Sequence, residues 1–197
     1  MSELDTLIID TGANIVKEER IEPLPLFDEK HPMLAQKVPE YTQAIPNQNM
    51  TNLVKRLKMT MKLYGGVGLS ANQCGIFERV FVIGTDQFQI ACINPKVISS
   101  TADLTKENEG CLSFPGLFVK IERPVGIDVQ FYTETGELKQ LHLDGLTARC
   151  FLHELDHMNG VKFTERAGKV SLQLARQRQQ KLIKKMVRQR KNNGVFV

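Results

Sequence analysis

The sequence of 197 residues has no long apolar run and no recognisable export leader. No stretch is apolar for long enough to span a bilayer, and residues 1–10 lack the basic and then apolar layout of a signal peptide. These absences predict a cytoplasmic protein with no membrane partner. Apolar residues make up 42% and charged residues 24% of the chain, as in an ordinary globular protein of one domain.

Cysteine is scarce, and no two cysteines form a C-x-x-C pair. The four lie far apart in the chain, at Cys74, Cys92, Cys111 and Cys150. Without an export signal, we expect reduced thiols rather than disulfides. Because a free cysteine is often only a small buried apolar residue, a functional thiol needs a separate argument.

Acidic residues are absent from residues 171–191, which contain eight bases. This segment carries +8 and the whole chain +4, so the remainder carries −4. An uneven distribution of this kind points to an anionic partner for the tail, although a solvated helix face would give the same pattern. The eight bases are Arg176, Arg178, Lys181, Lys184, Lys185, Arg188, Arg190 and Lys191.

The order of the predicted elements indicates an α+β fold with short, mostly antiparallel strands around a central helix. Residues 1–22 are an extension of uncertain order, and residues 23–197 form one domain. Helical spacing predicts an N-terminal helix over 49–64, capped by Asn49 or Thr51, and a C-terminal helix over about 171–191 with an apolar stripe. Asp144 is the expected N-cap of the central helix, which ends near Gly160. Strands are predicted at 79–84, 90–94, 97–100, 117–121, 126–133 and 137–143, with 105–115 a loop.

The central helix contains His153-Glu154-Leu155-Asp156-His157, an HExxH pattern. Two histidines four residues apart lie on the same helix face and can bind one metal ion. Glu154 lies close enough to take a proton from a water that the ion holds. A catalytic site of this type needs a third protein ligand and an open position.

Cys111 is the best candidate for the third ligand because it lies in a glycine-flanked loop, whereas the other cysteines lie in or beside apolar runs. Asp156 and His142 are weaker candidates. His142 alternates with leucines on a strand and is expected to be exposed, and Asp156 could instead be a partner for an imidazole.

The glycine-rich segment 65–73 does not match a nucleotide-binding loop. A phosphate loop needs Lys and then Ser or Thr after its last glycine, and a dinucleotide site needs a strand before the glycines and a helix after them. Here the order of helix and strand is reversed, so the glycines alone favour a structural turn.

Three ordered segments, 66–73 (GVGLSANQ), 109–113 (EGCLS) and 153–157 (HELDH), resemble the motifs of the peptide deformylases. The similarity extends from about Pro23 to the end of the chain, and the second motif together with the long terminal helix resembles the bacterial type. The resemblance implies an enzyme of protein biosynthesis that hydrolyses the formyl group from N-formylmethionyl nascent peptides and releases formate. Two positions depart from the common family form: Ser70, where Ala is usual, and Asn72, where Pro or Thr is frequent. These departures leave open the geometry of the loop and the preference for substrate, but not the reaction.

The resemblance also implies roles for individual residues. The metal ligands would be Cys111, His153 and His157, and Glu154 would activate the water. The Gln73 amide and the Leu112 N–H would bind the oxyanion. The implied ion is Fe²⁺, with Zn²⁺ or Ni²⁺ able to occupy the site, although a thiolate and two histidines alone would first suggest zinc.

A site for the methionyl peptide is expected beside these groups. The resemblance places Gly68 against the substrate chain, within the Gly66-Val67-Gly68 segment. Leu146 and Cys150 precede His153 by seven and three residues and so lie on its helix face, where they could line an apolar pocket closed by Val67. Ordinary core packing is the alternative for Leu146, Cys150 and Val67.

Two other functions are compatible with parts of the sequence. An HExxH metalloprotease would need a ligand farther along, but after His157 no histidine remains and Glu165 is the only acid. An RNA-binding protein with a structural metal site would explain the basic tail. The family resemblance implies instead that the tail docks on ribosomal RNA near the emerging chain, and no DNA partner is expected.

Overall fold

The computed structural model describes residues 21–85 and 87–192, with the side chains of 190–192 left out. The predicted extension over residues 1–22 therefore lies almost wholly outside the described residues. The expected α+β class is confirmed. The helices are α1 (Gln48–Leu63), α2 (Gly145–Met158) and α3 (Lys169–Asn192). The strands are β1 (Gly68–Ser70), β2 (Val80–Gly84), β3 (Gln89–Ser100), β4 (Leu104–Gly110), β5 (Phe118–Pro124), β6 (Gly126–Tyr132) and β7 (Leu138–Asp144).

The described strands form two antiparallel sheets. One has five strands in the order β1-β2-β3-β6-β7, and the other pairs β4 with β5. The prediction of a loop over 105–115 is wrong in its first half, because β4 pairs with β5 from Leu104↔Pro124 to Gly110↔Phe118. Most of the β4 side chains are exposed and polar, so the strand lacks the apolar alternation by which strands are recognised. The two segments predicted around Pro95 form the single strand β3, which has irregular register to β6.

Strand β2 separates the two larger parts of the core. Its successive side chains point to opposite faces, as in any strand. Val80 and Val82 pack with α1, whereas Phe81 and Ile83 pack with α2. The large sheet is therefore buried between α1 and α2. This packing fixes the position of α2 relative to the sheet.

The ends of α1 and α2 are set by local signals. Asn47, rather than the expected Asn49 or Thr51, is the N-cap of α1, and its Oδ1 accepts a hydrogen bond from Met50 N at 2.9 Å. Asp144 occupies the expected N-cap position of α2 but makes no side-chain capping bond. Gly160, with φ +71°, follows the C-cap of α2 in a left-handed conformation that suits glycine.

Helix α3 packs on the domain mainly through its first part. Leu172 and Ala175 contact the cluster that contains Phe114 and Phe163, and Gln179 Nε2 donates to Pro115 O at 2.8 Å. The rest of the predicted apolar stripe is exposed, with 45–49% exposure for Leu182, Ile183, Met186 and Val187. None of the helices in the described ranges is long and apolar enough to cross a membrane.

Candidate metal centre and active site

The loop after β4 and the helix α2 bring together the three predicted metal ligands. Potential ligand atoms of Cys111, His153 and His157 all lie within 4.8 Å of one another. Cys111 Sγ lies 3.2 Å from His157 Nε2, and both histidines are buried. The HExxH spacing places the two imidazoles on one face of α2, and the turn after Gly110 presents the thiol to them.

These three residues fit a divalent metal ion. With bond lengths of about 2.0–2.3 Å, two ligand atoms of a tetrahedral site are separated by about 3.5 Å, close to the spacing of Cys111 Sγ and His157 Nε2. Burial, the largest cause, lowers the pKa of His157 well below its ordinary value, so its imidazole is neutral and has a lone pair to donate. Three protein ligands leave one position for water or substrate.

The other cysteines are unsuited to this role. Burial, with a smaller effect of the Glu154 carboxylate, raises the pKa of Cys74 and of Cys150 to about 12. Cys92 is fully buried in the core, and burial raises its pKa well above the ordinary value. The two weaker candidates also lie elsewhere: His142 is exposed and pairs with Asp128 at 2.8 Å, and Asp156 binds arginines.

A buried set of charged side chains supports His153. Glu109 Oε2 lies 3.1 Å from His153 Nδ1, and its two oxygens accept hydrogen bonds from Arg123 Nε at 2.6 Å and Nη2 at 2.9 Å. Arg149 Nη1 donates to Glu109 Oε1 at 2.7 Å. Burial would raise the pKa of Glu109, but the bonds from Arg123 and His153 outweigh it and lower that pKa to about 2. Glu109 is therefore a carboxylate that orients a ligating imidazole.

Asp156 is not the imidazole partner that the motif suggested. Its Oδ2 accepts from Arg123 Nη1 at 2.9 Å and from Arg166 Nε at 2.6 Å. Arg123 thus bridges Glu109 and Asp156, and so it connects the end of β4, next to Cys111, with α2. Sequence reasoning assigned no role to Arg123 or Arg149, because nothing in their local patterns distinguishes a buried arginine from an exposed one.

The amide of Gln73 is held in one orientation by Ser70. Both the backbone N and the Oγ of Ser70 lie 2.9 Å from Gln73 Oε1. Because Oε1 is taken by these donors, Nε2 faces the metal ligands, 3.4 Å from Cys111 Sγ and 3.2 Å from Ser113 Oγ. The departure from the family form at Ser70 therefore adds a hydroxyl donor to the orienting bonds.

Glu154 is buried beside the ligands and faces the glycine segment. Burial is the main reason why its pKa is raised to about 7, against the lowering effect of the neighbouring His153. A Cβ built at Gly68 would collide with Glu154 Oε1, and one at Gly66 would lie 2.7 Å from Leu112 Cδ1. A side chain at either position would force Leu112 or Glu154 to move, because the loop passes so close to them.

A cavity of about 670 Å³ opens next to these groups. All the expected substrate-binding residues line it, together with Gln73, Cys111, Leu112, His153 and Glu154. Val67 is 44% and Leu146 62% exposed, so neither is an ordinary core residue. Tyr64 and Phe118, which the sequence did not single out, also line the cavity, and both are exposed. The expected substrate-binding residues are Gly66, Val67, Gly68, Leu146 and Cys150.

The downstream ligand required by the metalloprotease alternative is not supported. Glu165 lies in the turn Phe163–Arg166, where its Oε1 accepts from Lys162 N at 3.0 Å. Within the described parts of the chain, the potential metal ligands that come together are Cys111, His153 and His157.

An HExxH helix with a thiol as third ligand, open to an apolar cavity on an α+β scaffold, defines a metal-dependent hydrolase. A sequence model of the polypeptide deformylase family matches residues 23–173. The chain belongs to the polypeptide deformylase family.

Known proteins resemble the chain in sequence and in fold. The peptide deformylase of Thermotoga maritima is 41% identical over 120 residues, which cover 61% of this chain and 73% of that protein. The peptide deformylase of Synechococcus elongatus, solved in complex with actinonin, has a TM-score of 0.74 and 34% identity over 78% of this chain and 84% of that chain. A class I type b peptide deformylase from Acinetobacter baumannii, solved bound to Met-Ala-Ser, has a TM-score of 0.68 and 26% identity over 73% of this chain and 98% of that chain.

Proposed function

We propose that this chain is a peptide deformylase that removes the formyl group from the N-terminal formylmethionine of nascent polypeptides. The observation that carries the proposal is the meeting of three groups at one cavity. Cys111 lies beside the two histidines of α2, the Gln73 amide lies 3.4 Å from its sulfur, and Glu154 lines the same cavity. Membership of the polypeptide deformylase family supports this assignment.

The substrate would lie along the glycine segment with its methionyl side chain in the cavity. Gly66 and Gly68 allow the peptide backbone to approach Leu112 and Glu154. The apolar walls formed by Val67, Leu146 and Cys150 suit a flexible thioether. The Met-Ala-Ser peptide bound by the Acinetobacter baumannii relative supports a substrate of this length.

In the proposed reaction, the residues of the chain orient the formyl group and move one proton. A divalent ion at Cys111, His153 and His157 supplies Lewis acidity and lowers the pKa of the attacking water. Glu154 takes a proton as the water oxygen attacks the formyl carbon. Gln73 Nε2 and the Leu112 N–H donate to the developing oxyanion. When the C–N bond breaks, Glu154 returns the proton to the leaving nitrogen, which yields formate and a free amino terminus.

The identity of the ion is proposed from the family resemblance. We expect Fe²⁺ in the active protein, with Zn²⁺ or Ni²⁺ able to occupy the same ligands. A thiolate and two neutral imidazoles accept each of these borderline ions.

The basic face of α3 is proposed to dock on ribosomal RNA close to the nascent chain. Lys181, Lys184, Lys185 and Arg188 are exposed in the part of α3 beyond Gln179, the last buried residue among the described side chains of this helix. Phosphate groups attract such a cationic helix without a sequence-specific contact.

The proposed reaction is tested by replacing the base. Glu154→Gln keeps the size of the side chain, so we expect normal metal content and a loss of about 10²–10⁴ in kcat. The measurement is formate release from formyl-Met-Ala-Ser under anaerobic conditions, with metal analysis of the same samples. Glu137 is an exposed acid in the turn between β6 and β7. Glu137→Gln is therefore the matched control, and it should keep full activity. Full-rate turnover by Glu154→Gln would exclude the mechanism.

A further inference from the structure

The two ligating histidines differ in how their second ring nitrogen is satisfied. His153 Nδ1 meets Glu109 Oε2 at 3.1 Å. His157 points its Nε2 at Cys111 Sγ, at 3.2 Å, so its Nδ1 faces away from the ligands. A neutral imidazole that binds a metal through Nε2 carries its proton on Nδ1, and that N–H normally has a hydrogen-bond acceptor.

Three buried side-chain atoms lack a hydrogen-bond partner among the described residues: Glu154 Oε2, His157 Nδ1 and Asn72 Oδ1. The oxygen of Glu154 belongs to the proposed base and faces the reaction site. The other two are one donor and one acceptor. Buried polar atoms are rarely left unpaired, so both require an explanation.

Asn72 lies next to His157. Its Nδ2 donates to His157 O at 2.7 Å, between residues 85 positions apart in the chain. Because a carbonyl oxygen can only accept, this bond fixes the amide orientation: Nδ2 faces the carbonyl, and Oδ1 is the remaining acceptor. Asn72 is fully buried and directly precedes Gln73, the proposed oxyanion donor. Asn72 therefore links Gln73 to the end of α2.

We infer that Asn72 Oδ1 accepts the Nδ1–H of His157 through one bridging water, and so positions this metal ligand as Glu109 positions His153. Asn72 is thus a positioning residue, and the departure from the family form at this site has a function. The inference rests on the metal-ligand set of the proposed function and adds a partner for His157.

Metal affinity of the whole protein tests this role without any assay of turnover. The metal-free protein is titrated with Zn²⁺ against a competing chelator, and thermal unfolding of the same metal-free variants is recorded. Asn72→Leu removes both polar atoms at similar volume, and we expect the Kd for Zn²⁺ to rise about 10- to 100-fold. Asn72→Asp keeps an acceptor oxygen and should stay closer to the original Kd than Asn72→Leu.

Thr60→Val is the matched control. Thr60 is also fully buried, and its Oγ1 accepts from Leu24 N at 2.7 Å, on α1 rather than beside a metal ligand. This variant should lower the unfolding temperature while the Kd for Zn²⁺ stays unchanged. An unchanged Kd in Asn72→Leu would overturn the inference, whereas failure of the original protein to bind Zn²⁺ would overturn the ligand set itself.

A spectroscopic measurement decides the question if Asn72→Leu does not fold. In the Zn²⁺-loaded protein labelled with ¹⁵N-histidine, His157 Nδ1–H should give a slowly exchanging signal that moves in Asn72→Asp. The His153 Nδ1–H, held by Glu109, is an internal reference that should stay in place. A His157 signal that does not differ between the two proteins would contradict the role of Asn72.

Discussion

Gly66 and Gly68 show how single residues set the distance between a loop and the side chains of the candidate site. A side chain at Gly68 would occupy the space of the Glu154 carboxylate, and one at Gly66 would press on Leu112. Neither glycine has a positive φ, so the requirement is for space rather than for a special backbone conformation. The glycines of this segment do not serve a phosphate group. They leave room for the Leu112 and Glu154 side chains of the same protein.

Gly68→Ala should reduce activity with little effect on metal binding. The added methyl group must displace Glu154, and a displacement of about 1 Å in a catalytic group can cost about 10² in rate. We expect kcat for formyl-Met-Ala-Ser to fall by roughly that factor, with metal content unchanged. Gly168→Ala is the control, since a Cβ there meets no atom within 4 Å. Equal activity of the two variants would show that the close approach has no catalytic consequence.

The candidate ligands and the candidate base follow from patterns in the sequence, but the charged side chains around them do not. His153, Glu154 and His157 follow from helix periodicity, and Cys111 follows from its glycine-flanked position together with the family motifs. By contrast, Arg123 reaches Glu109 from a paired strand 14 residues away. Such a pairing depends on β4-β5 register, which no local pattern specifies.

At the scale of elements, the sequence predicted those that have a clear apolar face, and it missed β4, which has none, and the three-residue strand β1. Helices α1 and α2 bury clear stripes, and β2 is buried on both faces. Strand β4 has mostly exposed side chains and is held by backbone pairing to β5, so periodicity could not reveal it. This strand matters for the site because it ends at Gly110, directly before the Cys111 ligand.

Helix α3 has a first part that packs on the domain and a later part that is largely exposed. Ribosome docking can therefore be tested by changing the later part alone. The first part of the helix carries Ala175 and Gln179, which pack near the loop that holds Cys111, and Arg176, which pairs with Glu29. Deleting the whole helix would therefore remove core contacts as well as charge. Substitutions at Lys181, Lys184, Lys185 and Arg188 change exposed side chains.

Replacing Lys181, Lys184, Lys185 and Arg188 by Gln should weaken binding to ribosomes and make it less dependent on salt. Each lost phosphate contact lowers the slope of log K against log salt by about 0.7–0.9 in magnitude, so four contacts would lower it by about 3. The measurement is cosedimentation with ribosomes across a salt series. A variant with Lys30, Lys55, Lys106 and Lys120 changed to Gln alters the charge equally at other exposed sites and should bind as before. Equal weakening in both variants would indicate a nonspecific charge effect.

At the scale of the whole molecule, the metal site lies where two parts of the core meet. Cys111 lies against the cluster formed by β5 and α3, whereas α2 packs on the large sheet. Arg123 already bridges the two parts through Glu109 and Asp156. A bound ion would add a further connection, because its ligands come from both sides.

Removal of the metal should therefore lower the stability of the entire fold. A ligand at about 1,000 times its Kd stabilises by about 4 kcal/mol, which for a chain of this size corresponds to roughly 10 °C in Tm. We expect a drop of about that size when a chelator is added, measured by thermal unfolding. Cys111→Ala should unfold at the same temperature with and without chelator, while Cys150→Ala, which changes a cavity residue outside the ligand set, should keep the difference. A chelator effect that persists in Cys111→Ala would place the stabilising ion elsewhere and separate the stability of the fold from the proposed active site.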